Sequence, residues 1–262
     1  MLNPRALLAF SYLLPSLWLA FPTPLRAAED NPVPVTELIF EESEPGVEPY
    51  RSRMLLGESW LRLDGGGDDG DFILFDRKAR EIRSYNRDDR TEMVIPPREI
   101  EPVDFELRYE QSAQPLEDAP KIAGNTPVEY RYRADGKLCR RSINAPGLLP
   151  EFTAVLKDYE QLLAEQGKQT LARMPADVRE SCYMSNNFLH PVDYYEGGFP
   201  LFVINDQQRS RRLVGYRETE VPQRLMQPLQ GYRRYSPPPA NPQQVQPGQA
   251  TPGVLSISNE GR

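Results

Sequence analysis

Between residues 35 and 110 the chain repeats one rhythm, a short apolar or alternating run followed by turn residues, and no other feature constrains the fold as strongly. The runs are ELIFEE at 37–42, SRMLLGESWLRL at 52–63, DFILFD at 71–76, EIRSYN at 81–86, TEMVIPP at 91–97 and DFELRYE at 104–110. Residues 76–79 and 86–89 are short polar connections suited to antiparallel neighbours. Asp135 and Gly136, set between YRYR and KLCRR, form a strong hairpin signal. These residues predict a curved antiparallel sheet.

The stretch DGGGDDGD at 64–71 has three readings: a calcium loop, a phosphate cradle or a hairpin tip. Counted from Asp64, an EF-hand would need Gly at its sixth place and Glu at its twelfth, where this chain has Asp69 and Phe75 between strands. A phosphate cradle needs backbone amides ahead of a helix, and four carboxylates would repel the anion. The hairpin tip remains, with its glycines supplying positive φ and its aspartates keeping the edge soluble. A weak surface cation site is the residual reading.

The pattern changes at Pro150. In PEFTAVLKDYEQLLAEQG the apolar residues Phe152, Val155, Leu156, Tyr159, Leu162 and Leu163 fall at offsets of three and four, with Pro150 in the first turn and Gly167 at the stop. A second helical stretch is expected over 176–187, and FPLFVIN and RRLVGYRETEV read as a returning pair of strands. Cys139 and Cys182 are the only cysteines, which in an exported chain predicts a disulfide pinning the helical insert to the sheet. A catalytic thiol would need a base, and the single histidine, His190, is the one candidate.

Export is itself an expectation. Residues 1–27 carry Arg5, an apolar run at 6–21, Pro22 and Pro24, then Ala27 and Ala28, which is the layout of a cleaved signal peptide. No cysteine lies near the cut to take a lipid, so a soluble periplasmic protein is expected, with no transmembrane span after cleavage and an extracellular location second to that. Residues 236–262, rich in Pro and Gln, predict a disordered tail. Residues 28–235 are then one domain, with its helical insert at about 150–190.

The net charge of -7, which loss of Arg5 and Arg26 with the signal takes to -9, argues against a nucleic-acid partner. Catalytic signatures do not stand out. GESW at Gly57 lacks the second glycine of a nucleophile elbow, histidine-based zinc sites fail by counting, and no carboxylate pair is marked as a working pair. Neither a cofactor nor a metal is expected, and the chain reads as a non-enzyme.

A strand ending in WLRLD, a short acidic turn into DFILFDRKAREIRSYN, then RTEMVIPP and a late VPQRLMQPLQGYRRY resembles exported proteins of the LolA/LolB-like lipoprotein-carrier superfamily. The resemblance covers residues 35–97 and 199–235. It implies an α+β fold in which a curved antiparallel sheet forms an unclosed β-barrel, a helical insert packs on its concave side, and a greasy interior receives acyl chains. The chain departs from the carriers in its insert at 135–191, its proline-rich tail and the absence of a LolB-like lipidated cysteine.

Alternation provides a lining for such an interior. Leu61 and Leu63 share one face of their strand, Phe72 and Leu74 one face of the next, Met93 and Ile95 sit together further on, and Phe152 and Leu156 face them from the helix. Trp60 and Arg62 take the opposite face, placed to stack on one another. Two readings stay open: a periplasmic protein that binds a hydrophobic ligand, a lipid or acyl chain, in a half-barrel, or a cell-envelope scaffold with a closed core that contacts another envelope protein.

Overall fold

The computed structural model describes residues 31–98, 105–171, 174–175 and 179–237. The expected signal peptide, nearly all of the expected tail and residues 176–178 of the second helical stretch lie outside the described residues. The fold is α+β, a large unclosed sheet of twelve strands in the order β12-β6-β5-β4-β3-β2-β1-β11-β10-β9-β8-β7. Pairing is antiparallel except where β12 (Arg233–Tyr235) runs parallel to β6 (Thr91–Ile95), so the sheet is mixed and not purely antiparallel as expected.

Most strands fall on the runs that predict them. The run at 52–63 proves to be two strands, β2 (Tyr50–Leu56) and β3 (Trp60–Asp64), which reverse at Gly57 with its N–H on the Trp60 carbonyl. DGGGDDGD joins β3 to β4 (Phe72–Asp76) as a hairpin tip. β5 (Glu81–Asn86) and β6 continue the meander. The turn between β8 (Val128–Ala134) and β9 (Lys137–Ala145) has φ of 50° at Asp135 and 79° at Gly136, the doubly left-handed geometry of a tight hairpin. DFELRYE supplies only the start of β7 (Tyr109–Pro115), since residues 105–108 are not strand.

β1 (Pro32–Ser43) pairs along its whole length with β11 (Ser210–Pro222), with a bulge that leaves Val214 unmatched opposite Ile39 and Phe40. β11 meets β10 (Phe199–Asn205) over only three residue pairs, Phe202 to Ile204 against Arg212 to Ser210.

The helix α1 (Pro150–Leu171) extends beyond its expected stop at Gly167. A Cβ at Gly167 would lie 2.5 Å from the Phe188 ring, so this glycine serves close packing and not termination. Phe152, Val155, Leu156, Tyr159 and Leu162 are buried in one core with Leu38, Leu61, Leu63, Phe75 and Ile82 of the sheet. After α1 come α2 (Ser181–Met184), a π-turn over Ser185–Leu189 and a 3-10 turn over Asp193–Tyr195.

The other face of the sheet is also covered. Residues 223–232 run across it as a strap that leads into β12, with Leu225 and Met226 packing on Val35, Leu55 and Val221, and Leu229 and Tyr232 on Phe72, Leu74 and Tyr85. Every residue from Phe72 to Phe75 is buried in consequence. Trp60 and Arg62 do share this face, but they do not stack on one another. The Arg62 guanidinium lies 3.9 Å from the Phe72 ring centre, and Trp60 receives Arg83 at 5.7 Å.

Candidate functional site

A cavity of about 430 Å³ lies between the sheet, α1 and the helical segment that follows. Its apolar floor is Phe40, Met54, Leu63, Ile73, Leu156 and Tyr159. Leu163, Ala164 and Gly167 continue the α1 wall, and Phe188, Tyr194 and Tyr195, which pack against α1, form a side wall.

β9 holds that side wall in place. Cys139 and Cys182 form the expected disulfide, with Cα atoms 4.8 Å apart. The Arg140 guanidinium donates to the carbonyls of Pro191 and Asn186 at 3.1 and 3.0 Å, and the Asn144 amide donates to those of Tyr194 and Gly198 at 2.6 and 3.0 Å. Gly198 is required here. Its φ is 107°, and a Cβ would stand 2.6 Å from the Ala145 carbonyl oxygen.

Polar groups ring the floor. Glu160 accepts from the Tyr194 hydroxyl at 2.6 and 2.7 Å and from the Tyr195 hydroxyl at 2.7 Å. Burial, then the neighbouring Glu160 charge, holds both phenols well above their ordinary range, so they remain neutral donors. Arg211 Nε donates to Glu42 at 2.7 Å, and Ser52 Oγ donates to the same oxygen at 2.7 Å. Burial alone would lower the Arg211 pKa, but the charges of Glu42 and Glu160 raise it and keep the guanidinium charged.

The expected lining is only partly assembled. Leu63 and Leu156 line the cavity. Leu61, Ile95 and Phe152 belong to the filled core beside it, and Met93 packs at that core's margin. Phe72 and Leu74 must be corrected: they point to the opposite face, under Leu229 and Tyr232. Strand register explains the error. Leu61 sits opposite Phe75 and Leu63 opposite Ile73, so Ile73 and Phe75 are the inward residues of β4. The interior is neither wholly filled nor wholly open.

Glu160, Tyr194, Tyr195 and Arg211 escaped the sequence reading. One signal was available: Glu160 lies on the α1 stripe of Leu156, Leu163 and Gly167, an acid among apolar residues at helical spacing. The aspartates of the hairpin tip also do more than keep it soluble. Asp64 is fully buried against Arg53 and Arg62, and Asp71 accepts from the Arg87 N–H and the Asn86 amide. Among the described residues, no three His, Cys, Asp or Glu side chains converge to hold a metal ion, and no helix is long and apolar enough to cross a membrane.

No family model and no curated protein matches the chain. Solved structures it is similar to include those described as PNGF-II in the P21 and C2 space groups, each at 9% identity, with TM-scores of 0.36 and 0.35. The alignments cover 78% of this chain and 31% of those chains, so the chain spans less than a third of their length. Overlays at this level do not establish a shared fold.

Proposed function

We propose that the protein is a non-catalytic periplasmic binder of a hydrophobic ligand, a lipid or an acyl chain, held in a half-barrel whose concave side α1 covers. The observation that carries this reading is the cavity. At about 430 Å³ it falls within the roughly 300–1,000 Å³ typical of small-molecule sites, with an apolar floor ringed by polar and charged side chains, nine of them charged. The LolA/LolB-like resemblance of the strand succession supports the same reading, and the Cys139–Cys182 disulfide fits an oxidising compartment.

Filling the cavity tests it. Leu163 lines the pocket yet is only half-buried, so Leu163→Trp adds bulk to the open space without displacing the closed core. We expect the wild-type protein to bind the neutral dye N-phenyl-1-naphthylamine with a fluorescence rise, and to carry lipid visible by native mass spectrometry after gentle purification. The variant should bind the dye about tenfold more weakly, equivalent to about 1.4 kcal/mol. Equal binding by both proteins would place the dye elsewhere, and a wild-type protein that neither carries lipid nor binds dye would turn the reading to an envelope scaffold.

A further inference from the structure

Resting on that binding function, we infer that the ligand's polar end is a hydrogen-bond donor or a cation, such as an amine or an alcohol, and that Glu160 is the carboxylate that receives it. Charge pairing at the cavity wall carries the inference. Arg53 gives two bonds to Asp64, at 2.9 and 2.8 Å, and one to Asp68 at 3.0 Å. Arg209 pairs with Glu44 at 3.4 Å, and Arg211 with Glu42 at 2.7 Å. Arg140 donates to two backbone carbonyls, its guanidinium lies 4.3 Å from the Tyr194 ring centre, and its positive charge acts on Asp206, the remaining acid of the lining besides Glu160.

Glu160 stands apart from these pairs. Its hydrogen-bond partners are two neutral phenols, which orient the carboxylate without cancelling its charge. Arg211, set among Glu42, Tyr194, Tyr195 and Glu160, has one positive charge for two carboxylates. The lining sets Glu42, Glu44, Asp64, Glu160 and Asp206 against Arg53, Arg140, Arg209 and Arg211, so the ring of polar groups keeps an uncompensated negative charge around the apolar floor. Acceptor capacity points the same way: the two phenols have two protons to give, whereas a carboxylate offers about four lone-pair sites, so sites remain for an incoming donor. A ligand carboxylate would bring like charge to this place, while an ammonium would meet opposite charge in a partly desolvated setting.

Dodecylamine, dodecanol and dodecanoate, identical in chain and different in head, separate these cases when titrated below their aggregation limits at pH 7 by calorimetry. The amine is protonated at that pH. The expected order is amine, then alcohol, then carboxylate, with about tenfold or more between the first and the last. In Glu160→Gln the preference for the amine over the alcohol should disappear while dodecanol affinity stays within about threefold. Dodecanoate binding as tightly as the amine, or an amine preference that survives in Glu160→Gln, would overturn the assignment while leaving hydrophobic binding intact. Failure of all three ligands would instead remove the binding function, and this inference with it. The wild-type series stands even if the variant folds poorly.

Discussion

Replacing Asp64 with asparagine is expected to cost about 3–5 kcal/mol of folding stability, because it leaves a buried guanidinium without its counter-charge. The Arg62 side chain is 1% exposed and its Nε donates to Asp64 at 2.6 Å, with a second anchor from its guanidinium to the Leu225 carbonyl at 3.1 Å. Asp64 also accepts two bonds from Arg53 and one from the Gly66 N–H at 2.9 Å. Asparagine preserves the shape and removes the charge. The urea midpoint should fall accordingly, and a loss below about 1 kcal/mol would show that the pair contributes no more than a surface ion pair.

The same carboxylate sets part of the acid limb. Burial pushes the Asp64 pKa up, but the hydrogen bonds and charges of Arg53 and Arg62 outweigh burial and hold it below the usual carboxylate value. A depressed folded pKa contributes stability that is fully present above the unfolded value, about 3.9, and is lost as the pH falls through the folded value. Glu92, held low by Arg234, Tyr85 and Arg83 against its own burial, acts in the same direction. Stability measured from pH 7 down to pH 2 should therefore fall less steeply in Asp64→Asn than in the wild type.

Removing the disulfide is the second large effect. The bridge spans 43 residues, for which the chain-entropy relation gives about 4 kcal/mol. For a domain of this size that corresponds to a drop of roughly 10 °C in Tm. The paired substitution Cys139→Ser with Cys182→Ser avoids a stray thiol and should melt lower by that amount in thermal circular dichroism. It should also weaken dye binding, because α2 is a four-residue helix that cannot persist alone and Tyr183 and Phe188 just beyond Cys182 line the cavity. A variant melting within about 2 °C of the wild type would mean that Arg140 and Asn144 hold the segment unaided.

The local rules were legible in the residues. Asp135 and Gly136 marked a hairpin because left-handed backbone at both positions is what those residue types tolerate, and Phe152 to Leu163 marked a helix by their spacing. Long-range covering was not legible. FILF is a continuous apolar run, yet nothing near it announces that Leu229 and Tyr232 return to bury its second face, so the inward pair was misread as Phe72 and Leu74 when it is Ile73 and Phe75. Gly167 reads as a stop only when Phe188 is out of view. The site divides the same way: Leu63 and Leu156 follow from alternation and helical period, whereas Arg211 meets Glu42 across 169 residues of chain through the pairing of β1 with β11.

That pairing makes the sheet uneven. β11 is zipped to β1 along its whole length but tied to β10 by three rungs, so two broad leaves meet at a narrow seam. The cavity straddles it, taking Val203 from one leaf and Arg211 from the other. At roughly 0.5–1.5 kcal/mol per backbone hydrogen bond, the seam is held by less hydrogen-bond energy than the long β1–β11 pairing, and packing such as Phe40 on Phe199 supplies the rest. For the proposed ligand, the stretch of sheet beside the cavity with the fewest rungs is this seam, and the Cys139–Cys182 bridge is anchored in the β9 leaf next to it.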